Sequence, residues 1–321
     1  MSTRAVGRQA FGGLLLCLLL SGCSHEAANS RPPFFFGVDV PRGDPDAVDR
    51  LARMLHCRPS VTSAFVKLDS DFGRAELSTL TRGGRSPLVT LEPWSWRMTP
   101  GTTSAPGYSL RRIAAGGHDR QLRRIARTLA TYDGTVLLRF AHEMNANWYP
   151  WGTGVNGNLP RHYVAAWRHV HRVMSEVADN LEWVWAPVAA WWHSGPPLRA
   201  FYPGDGQVDL VGVTGYGHGG TARETFGDWY REVRQLTDKP AVLTEIGADG
   251  PGKTRWIASL SSFMLARPRI VGFVWFNTSP ETTGATGDYR IDQNGHDLQA
   301  FRALLTRLHP VCDPPTTQEA S

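Results

Sequence analysis

Residues Thr135 to Glu143 read TVLLRFAHE, an apolar run of strand length that ends in ionisable side chains. Apolar residues at successive positions, rather than at alternate ones, are typical of a strand buried on both faces. Segments with apolar residues at helical spacing flank this run, at Gln121 to Ala130 and at His162 to Val177. The stretch therefore predicts a strand of a parallel sheet, between two helices, with polar groups at its C-terminal end.

The same pattern recurs along the chain. Seven further apolar runs of strand length are Phe34 to Val40, Ser63 to Asp69, Pro87 to Trp94, Glu182 to Val188, Asp209 to Gly217, Pro240 to Gly247 and Ile270 to Thr278. Helical spacing returns at Asp46 to Leu55, Phe226 to Leu236, Thr254 to Leu265 and Phe301 to Leu308. Strands and helices that alternate eight times predict an α/β fold, a single (β/α)₈ TIM barrel over residues 34–312.

A doubly wound open sheet is the alternative fold. Such a sheet normally carries a Gly-rich phosphate turn after an early strand, and none follows the first run here. The Gly-rich stretch Gly215 to Gly220 follows the sixth run and lacks a following Lys-Ser/Thr pair. We interpret it as a loop, and the barrel remains the prediction.

The N-terminal region has the pattern of an export signal. Arg4 and Arg8 precede a small-or-apolar run from Phe11 to Leu20, which is too short to span a bilayer. The run leads into Leu20-Ser21-Gly22-Cys23, which resembles a bacterial lipobox. We predict a signal peptide over residues 1–22, lipidation of Cys23 at the cell surface and a flexible tether over residues 23–33. Ordinary signal cleavage and secretion is the alternative, and residues 313–321 are predicted to be a disordered tail.

Charge and cysteine content restrict the partners and the chemistry. The formal charge of +5 falls to +3 without the two signal arginines, and the remaining basic residues are scattered, so no nucleic-acid surface is predicted. The histidines of one helix, at 162, 169 and 171, lack metal-ligand spacing, so neither metal nor cofactor is predicted, and the protein is expected to be a monomer. Cys57 and Cys312 would meet where the first and last helices adjoin, as a disulfide or as two free buried thiols.

Polar and aromatic residues gather at the C-terminal ends of the predicted strands, where TIM barrels place their active sites. They are Asp39, Asp69, Glu92, Trp94, Arg139, His142, Glu143, Asn145, Trp185, Tyr216, Glu245, Trp275 and Asn277. Sugar rings offer C–H faces to aromatic side chains and hydroxyl rims to polar ones, so this composition favours a carbohydrate ligand. Glycoside hydrolysis needs two carboxyl groups across one bond. Glu143 and Glu245, which end opposite strands of the barrel, are the predicted pair.

Two segments resemble a known family. Arg139 to Asn145 (RFAHEMN), followed by Trp148 to Gly152 (WYPWG), resembles the acid/base segment of glycoside hydrolase family 26. Thr244 to Gly247 (TEIG) resembles its nucleophile strand, and the resemblance extends over roughly Phe34 to Leu308. That family hydrolyses with retention of configuration, which implies that Glu143 is the acid/base and Glu245 is the nucleophile.

The resemblance also implies roles for neighbouring side chains. Tyr216 would hydrogen-bond the nucleophile, and His142 and Asn145 would position Glu143 and the sugar hydroxyls. Further substrate contacts are expected from three stacking tryptophans and three residues at strand ends, namely Trp148, Trp151, Trp275, Glu92, Trp94 and Arg139.

The resemblance leaves the polymer open. β-1,4-mannan is the family's commonest substrate, whereas Tyr149-Pro150-Trp151 departs from the doubled aromatic of mannan-cleaving members and resembles glucan-cleaving ones. Mannan is the first expectation because it is the family's commonest substrate. Mixed-linkage β-1,3-1,4-glucan and a bacterial exopolysaccharide are alternatives, and a non-catalytic carbohydrate-binding lipoprotein is the alternative of another class.

Overall fold

The computed structural model describes residues 34–40, 44, 46–98, 102, 104–189, 195–283 and 285–312 of the 321-residue chain. Eight parallel strands close into a barrel in sequence order. They are β1 (Phe35–Asp39), β2 (Val61–Lys67), β3 (Ser86–Glu92), β4 (Val136–Phe140), β5 (Leu181–Trp185), β6 (Leu210–Gly217), β7 (Ala241–Ala248) and β8 (Ile270–Phe276). The predicted TIM barrel is confirmed. The predicted signal peptide, Cys23 with its tether, and the tail over residues 313–321 lie outside the described residues.

Helices surround the barrel. They are α1 (Ala47–Leu55), α2 (Arg74–Leu80), α3 (Leu110–Ala114), α4 (Asp119–Leu129), α5 (Pro160–Ser175), α6 (Ala222–Leu236), α7 (Lys253–Leu265), α8 (Pro280–Thr283) and α9 (Gly295–Leu308). The sequence did not predict α2, because it buries Leu77 alone and so has no apolar periodicity. Between β5 and β6, the described residues form two short 3₁₀ turns at Leu198–Ala200 and Asp205–Gln207 instead of a helix.

Capping residues explain why some helices begin earlier than their apolar repeats suggest. Helix α6 begins at Ala222, four residues before the predicted start at Phe226. Thr221 and Glu224 form a capping box there, since the side chain of each accepts a hydrogen bond from the other's backbone N–H. Asn294 similarly accepts from the backbone of Asp297 at the start of α9. These polar caps lie outside the apolar pattern that a periodicity search detects.

The barrel interior changes from apolar to polar towards the C-terminal ends of the strands. A separate apolar cluster from seven of the strands occupies the lower interior, comprising Val61, Leu88, Leu137, Val184, Leu210, Val242, Val271 and Val274. One layer higher, Arg139 lies wholly buried and bonds to threonines of three other strands. Because successive strand residues face opposite sides, the last inward positions belong to the mouth. The fold therefore gathers polar side chains at one end.

A disulfide closes the barrel's helical layer. Cys57 follows α1 and Cys312 follows α9, and the structure joins their sulfur atoms with the two Cα atoms 5.1 Å apart. The linkage connects residues 255 positions apart in sequence, so it ties the start of the barrel to its end. No helix within the described ranges is long and apolar enough to cross a bilayer.

Candidate active site

Glu143 follows β4 in an unusual backbone conformation. Its φ is +55°, and that of Ala141 is +46°, a left-handed region that non-glycine residues rarely adopt. The Glu143 N–H donates to the carbonyl of Ala186 beyond β5 at 2.8 Å, which fixes this turn against the next strand. The Glu143 side chain is 6 % exposed, and the indole N–H of Trp148 donates to its Oε2 at 2.6 Å. Strain of this kind is concentrated at functional sites.

Glu245 lies on β7 beside an irregularity in strand pairing. Val213 pairs with Leu243 and Thr214 pairs with Glu245, so Thr244 is the extra residue of a bulge. Bulges redirect side chains, and here Thr244 and Glu245 both come within reach of Arg139. The bulge therefore puts an additional polar side chain in the mouth of the barrel, next to Glu245.

Two donors hold the Glu245 carboxylate. Arg139 Nη2 lies 2.7 Å from its Oε2, and the Tyr216 hydroxyl donates to its Oε1 at 2.6 Å. Burial, followed by the charge of Glu245, raises the pKa of Tyr216 well above its ordinary value, so this hydroxyl keeps its proton. The buried guanidinium is itself oriented by Thr90, to which its Nε donates at 2.8 Å. These contacts hold the Glu245 carboxylate in one orientation.

Glu143 has the opposite electrostatic surroundings. Burial raises its pKa to about 8, and the negative charge of Glu245 raises it in the same direction. The hydrogen bond from Trp148 and the charge of Arg139 act the other way and are weaker. The raised pKa favours the protonated form of Glu143, next to a Glu245 carboxylate held by Arg139 and Tyr216, an arrangement suited to acid-assisted nucleophilic attack.

Glu92, a third carboxyl group, lies at the end of β3. It is 5 % exposed, and burial raises its pKa to about 7. The indole N–H of Trp94 donates to its Oε2 at 3.0 Å, and the Lys67 ammonium lies 4.7 Å from the Trp94 ring centre. Trp94 is itself only 3 % exposed, so its ring holds Glu92 in place and offers no face to a sugar. The predicted substrate contact at Trp94 is corrected accordingly.

The structure also corrects two of the three predicted stacking platforms. Trp275 is fully buried and packs against Trp256 of α7 and Phe301 of α9, because it points outwards from β8. Trp151 is 1 % exposed and lies parallel beneath Tyr149, with ring centres 4.4 Å apart. Neither indole has a face available for a sugar ring. Among the three predicted platforms, only Trp148 is partly exposed.

His142 and Asn145 are also placed differently from the prediction. The side chain of Asn145 is buried. Its Nδ2 donates to the Val188 carbonyl at 3.0 Å, and its Oδ1 accepts from the Val188 N–H at 2.9 Å. It therefore joins the β4 and β5 ends and does not reach a substrate hydroxyl. His142 is fully buried beside Tyr149, and neither ring nitrogen has a hydrogen-bond partner in the described part of the chain. Burial and the charge of Arg139 lower its pKa well below the ordinary value, so the ring is neutral.

Several residues of the mouth were not among the predicted site residues. Phe276, one residue after Trp275, faces inwards with its ring edge towards Phe65 and Tyr216. Tyr289, from the segment after β8, packs on Tyr216 with ring centres 4.7 Å apart. Tyr149 caps Trp151 and is partly exposed. The direction of Phe276 depends on the register of β8, and Tyr289 reaches the mouth only through the tertiary fold. No cluster of three metal-ligating side chains occurs among the described residues.

Comparisons with known proteins agree on the family and the fold. Residues 117–276 match the model of Glycosyl hydrolase family 26. Endoglucanase H of Acetivibrio thermocellus is 26 % identical over 263 residues, which cover 76 % of this chain and 27 % of that protein. Mannan endo-1,4-beta-mannosidase of Bacillus subtilis is 29 % identical over 171 residues, covering 51 % of this chain and 45 % of that protein. The chain thus matches less than half the length of either relative.

A solved structure supports the architecture. The catalytic domain of the GH26 endo-beta-1,4-mannanase of Bacillus sp. JAMB-750 superposes with a TM-score of 0.67 at 16 % identity. The superposition covers 88 % of each chain. At this identity the likeness concerns the fold, and the barrel is shared over nearly its whole length.

Proposed function

The chain belongs to glycoside hydrolase family 26, and from that membership we propose that it is a retaining endo-β-glycanase acting on β-1,4-mannan. Glu143 is the acid/base and Glu245 is the nucleophile. The observation that carries the proposal is the contrast between the two carboxyl groups. Burial and the Glu245 charge favour the protonated form of Glu143, while Arg139 and Tyr216 stabilise the Glu245 carboxylate.

The first step forms a covalent glycosyl-enzyme. A Glu245 carboxylate oxygen attacks the anomeric carbon as the bond from that carbon to the glycosidic oxygen breaks, and Glu143 transfers its proton to the departing oxygen. The negative charge of Glu245 is consumed in the ester. Arg139 and Tyr216 hold the attacking carboxylate in one orientation, so little reorganisation is needed during the step.

The second step reverses the role of Glu143. Once Glu245 is esterified, its charge no longer raises the pKa of Glu143, so the newly formed Glu143 carboxylate remains available as a base. Glu143 then takes a proton from water, whose oxygen attacks the anomeric carbon and releases Glu245 as a carboxylate. Trp148, hydrogen-bonded to Glu143 Oε2, positions the acid/base in both steps.

Mannan is proposed because several relatives are named as mannan endo-1,4-beta-mannosidases, from Bacillus subtilis among others. In the same proposal, Glu92 contacts the sugar hydroxyls from the β3 side of the mouth. The proposal has three further parts. The substrate is a polysaccharide, the protein is a monomer, and it is exported with a lipid anchor on Cys23. The lipobox-like Leu20 to Cys23 supports the anchor.

Reducing-sugar release by the full chain in mild detergent tests the proposal. The substrates are linear mannan, glucomannan, mixed-linkage β-glucan and β-1,3-xylan, and Glu245→Ala is the blank. We expect release from mannan that disappears in the blank. Release from mixed-linkage glucan alone would show that this glucan, and not mannan, is the substrate. The proposed mechanism would then still stand. No release from any of the four, by a folded protein, would contradict the proposal and favour an exopolysaccharide target or a binding protein.

A further inference from the structure

Trp96 is exposed, whereas most of the other described tryptophans are buried. Its exposed fraction is 59 %, and it is the only aromatic among the large apolar side chains exposed in the described ranges. Trp94 and Trp151, which are near it in sequence or fold, are 3 % and 1 % exposed. Leaving an indole in water forgoes the stabilisation that its burial would contribute to folding. Its exposure therefore points to a ligand.

Trp96 lies at the mouth of the barrel. It follows the β3 terminus at Glu92 by four residues, in a turn closed by the Met98 N–H donating to the Ser95 carbonyl at 3.0 Å. Inside the turn, the ring of Trp94 contacts Tyr149 and Trp151 edge-on, with centres 6.0 and 5.6 Å apart. The turn thus rests on the aromatic side chains beside Glu143, and Trp96 is its exposed aromatic residue.

Several hydrogen bonds donated to one carboxylate hold this turn in place. Asp69, beyond β2, accepts from the Ser95 hydroxyl at 2.7 Å, from the Trp96 N–H at 2.8 Å and from the Tyr108 hydroxyl at 2.9 Å. Lys67 donates to the Met98 carbonyl at 3.1 Å. A side chain on a restrained turn loses less freedom when it binds a ligand, so the indole is preorganised.

We propose that Trp96 is the stacking platform of an outer sugar subsite, which binds a pyranose ring of the same polysaccharide beyond the bond that Glu143 and Glu245 cleave. This inference rests on the proposed endo-glycanase function. The indole offers an apolar face of the size of a sugar ring. The Arg97 guanidinium lies over one face of the indole, 5.2 Å from the ring centre, so the sugar would stack on the opposite face, with the Arg97 N–H groups as donors for hydroxyl groups at its edge. An outer subsite increases the affinity for long chains and has no partner on short ones.

Kinetics on linear β-1,4-manno-oligosaccharides of different length test the subsite. We expect Trp96→Ala to lower the ratio of kcat/KM on mannohexaose to kcat/KM on mannotriose by about tenfold, through KM. Trp96→Tyr should restore most of the ratio, because it keeps an aromatic face. Leu265→Ala is the matched control, since Leu265 is 43 % exposed at the C-terminal end of α7, away from the mouth.

The outcomes distinguish a failure of the proposed subsite from a failure of the proposed function. An unchanged ratio in folded Trp96→Ala, with wild-type enzyme active on both substrates, would overturn the subsite and leave the proposed function intact. An equal loss on both substrates would also overturn it, since that would place Trp96 at the cleaved bond. A wild-type protein without activity on any β-mannan would contradict the proposed function, and with it a subsite for this polymer.

Discussion

At the residue scale, Glu143 and Glu245 have the same side chain and differ in their neighbours. Glu245 accepts from a guanidinium and a phenol, whereas Glu143 accepts from an indole N–H and lies buried near the Glu245 charge. Each contact comes from a different part of the barrel, with Arg139 on β4 and Tyr216 on β6. Tertiary contacts, rather than residue type, therefore distinguish the proposed acid from the proposed nucleophile.

The pKa of Glu143 predicts the alkaline side of the activity profile. Because the acid must be protonated for leaving-group departure, kcat/KM should fall as pH rises through about 8, the pKa to which burial and Glu245 raise Glu143. The measurement is kcat/KM on soluble mannan between pH 5 and 10. Glu92→Gln is the control, since Glu92 has a raised pKa of about 7 and should not set this limb. An alkaline limb near pH 5 would contradict the assignment.

The same shift predicts a pH-dependent stability. The folded-state pKa of Glu143 lies above its unfolded value, so ionisation of this group opposes folding. The resulting decrease in the free energy of unfolding grows as pH rises from about 4.5 to 8. Glu143→Gln removes the group that resists ionisation. We expect the free energy of unfolding of Glu143→Gln, minus that of wild type, to increase from pH 5 to pH 8. Urea titrations at both pH values measure it, and a constant difference would count against a raised pKa.

Tyr216 is predicted to act through Glu245. Tyr216→Phe removes the 2.6 Å hydrogen bond and retains the ring that packs on Tyr289. A hydrogen bond to a charged group contributes about 1.5–3 kcal/mol, so kcat should fall by roughly 10- to 150-fold. Steady-state kinetics and thermal unfolding measure the two effects separately. A large fall in melting temperature with unchanged kcat would instead assign Tyr216 a packing role.

At the element scale, the strand ends are joined to one another by side chains. Asn145 bridges the segments after β4 and β5 through Val188, and the bulge at Thr244 distinguishes β7 from a regular strand. Asn145 lies two residues after Glu143, and the bulge at Thr244 immediately precedes Glu245. Between β5 and β6, the part of the connection that the structure describes forms 3₁₀ turns and no helix, and the sheet still closes because β5 pairs with β6 directly.

Asn145 offers a test of this bridging. Asn145→Ala leaves the Val188 N–H and C=O without their side-chain partners in a buried place, which should lower the free energy of unfolding by about 1–3 kcal/mol. Asn147→Ala, two residues away and exposed, is the matched control and should change it by less than about 0.5 kcal/mol. Chemical denaturation measures both variants, and equal stabilities would show that the bridge contributes nothing.

At the scale of the whole molecule, the disulfide is the covalent closure of the barrel. It joins the ends of α1 and α9, which pack side by side because the first and eighth strands pair. A link across 255 residues restricts the unfolded chain over almost the whole domain. This effect concerns stability and does not involve the mouth of the barrel.

Removal of the disulfide should therefore lower stability and spare catalysis. For Cys57→Ser with Cys312→Ser we expect a loss of about 2–5 kcal/mol in the free energy of unfolding. The activity of the folded double variant should equal that of wild type. Denaturation with and without reductant measures the loss, and the double variant controls for reductant, because reductant should not affect it further. A stability that does not change on reduction would contradict the role of this link.

Strand and helix periodicity was enough to predict the barrel, since apolar runs buried on both faces are recognisable in one dimension. The short helices α2 and α3 and the early start of α6 were not predicted. Their signals are polar caps and single buried residues such as Leu77. In the mouth, residue type and strand position were enough to identify Glu143, Glu245, Arg139 and Tyr216 as candidates.

Side-chain direction was beyond the sequence. Trp275 and Phe276 are adjacent aromatics, and a shift of one residue in strand register exchanges the face to which each points. The structure turns Trp275 into the helical layer and Phe276 into the mouth. Residue order alone thus determined the fold and the carboxylate pair, because burial patterns and residue chemistry are local properties. Only the tertiary structure decided the surroundings of each carboxyl group and which aromatics face the mouth, because both depend on neighbours brought in from distant strands.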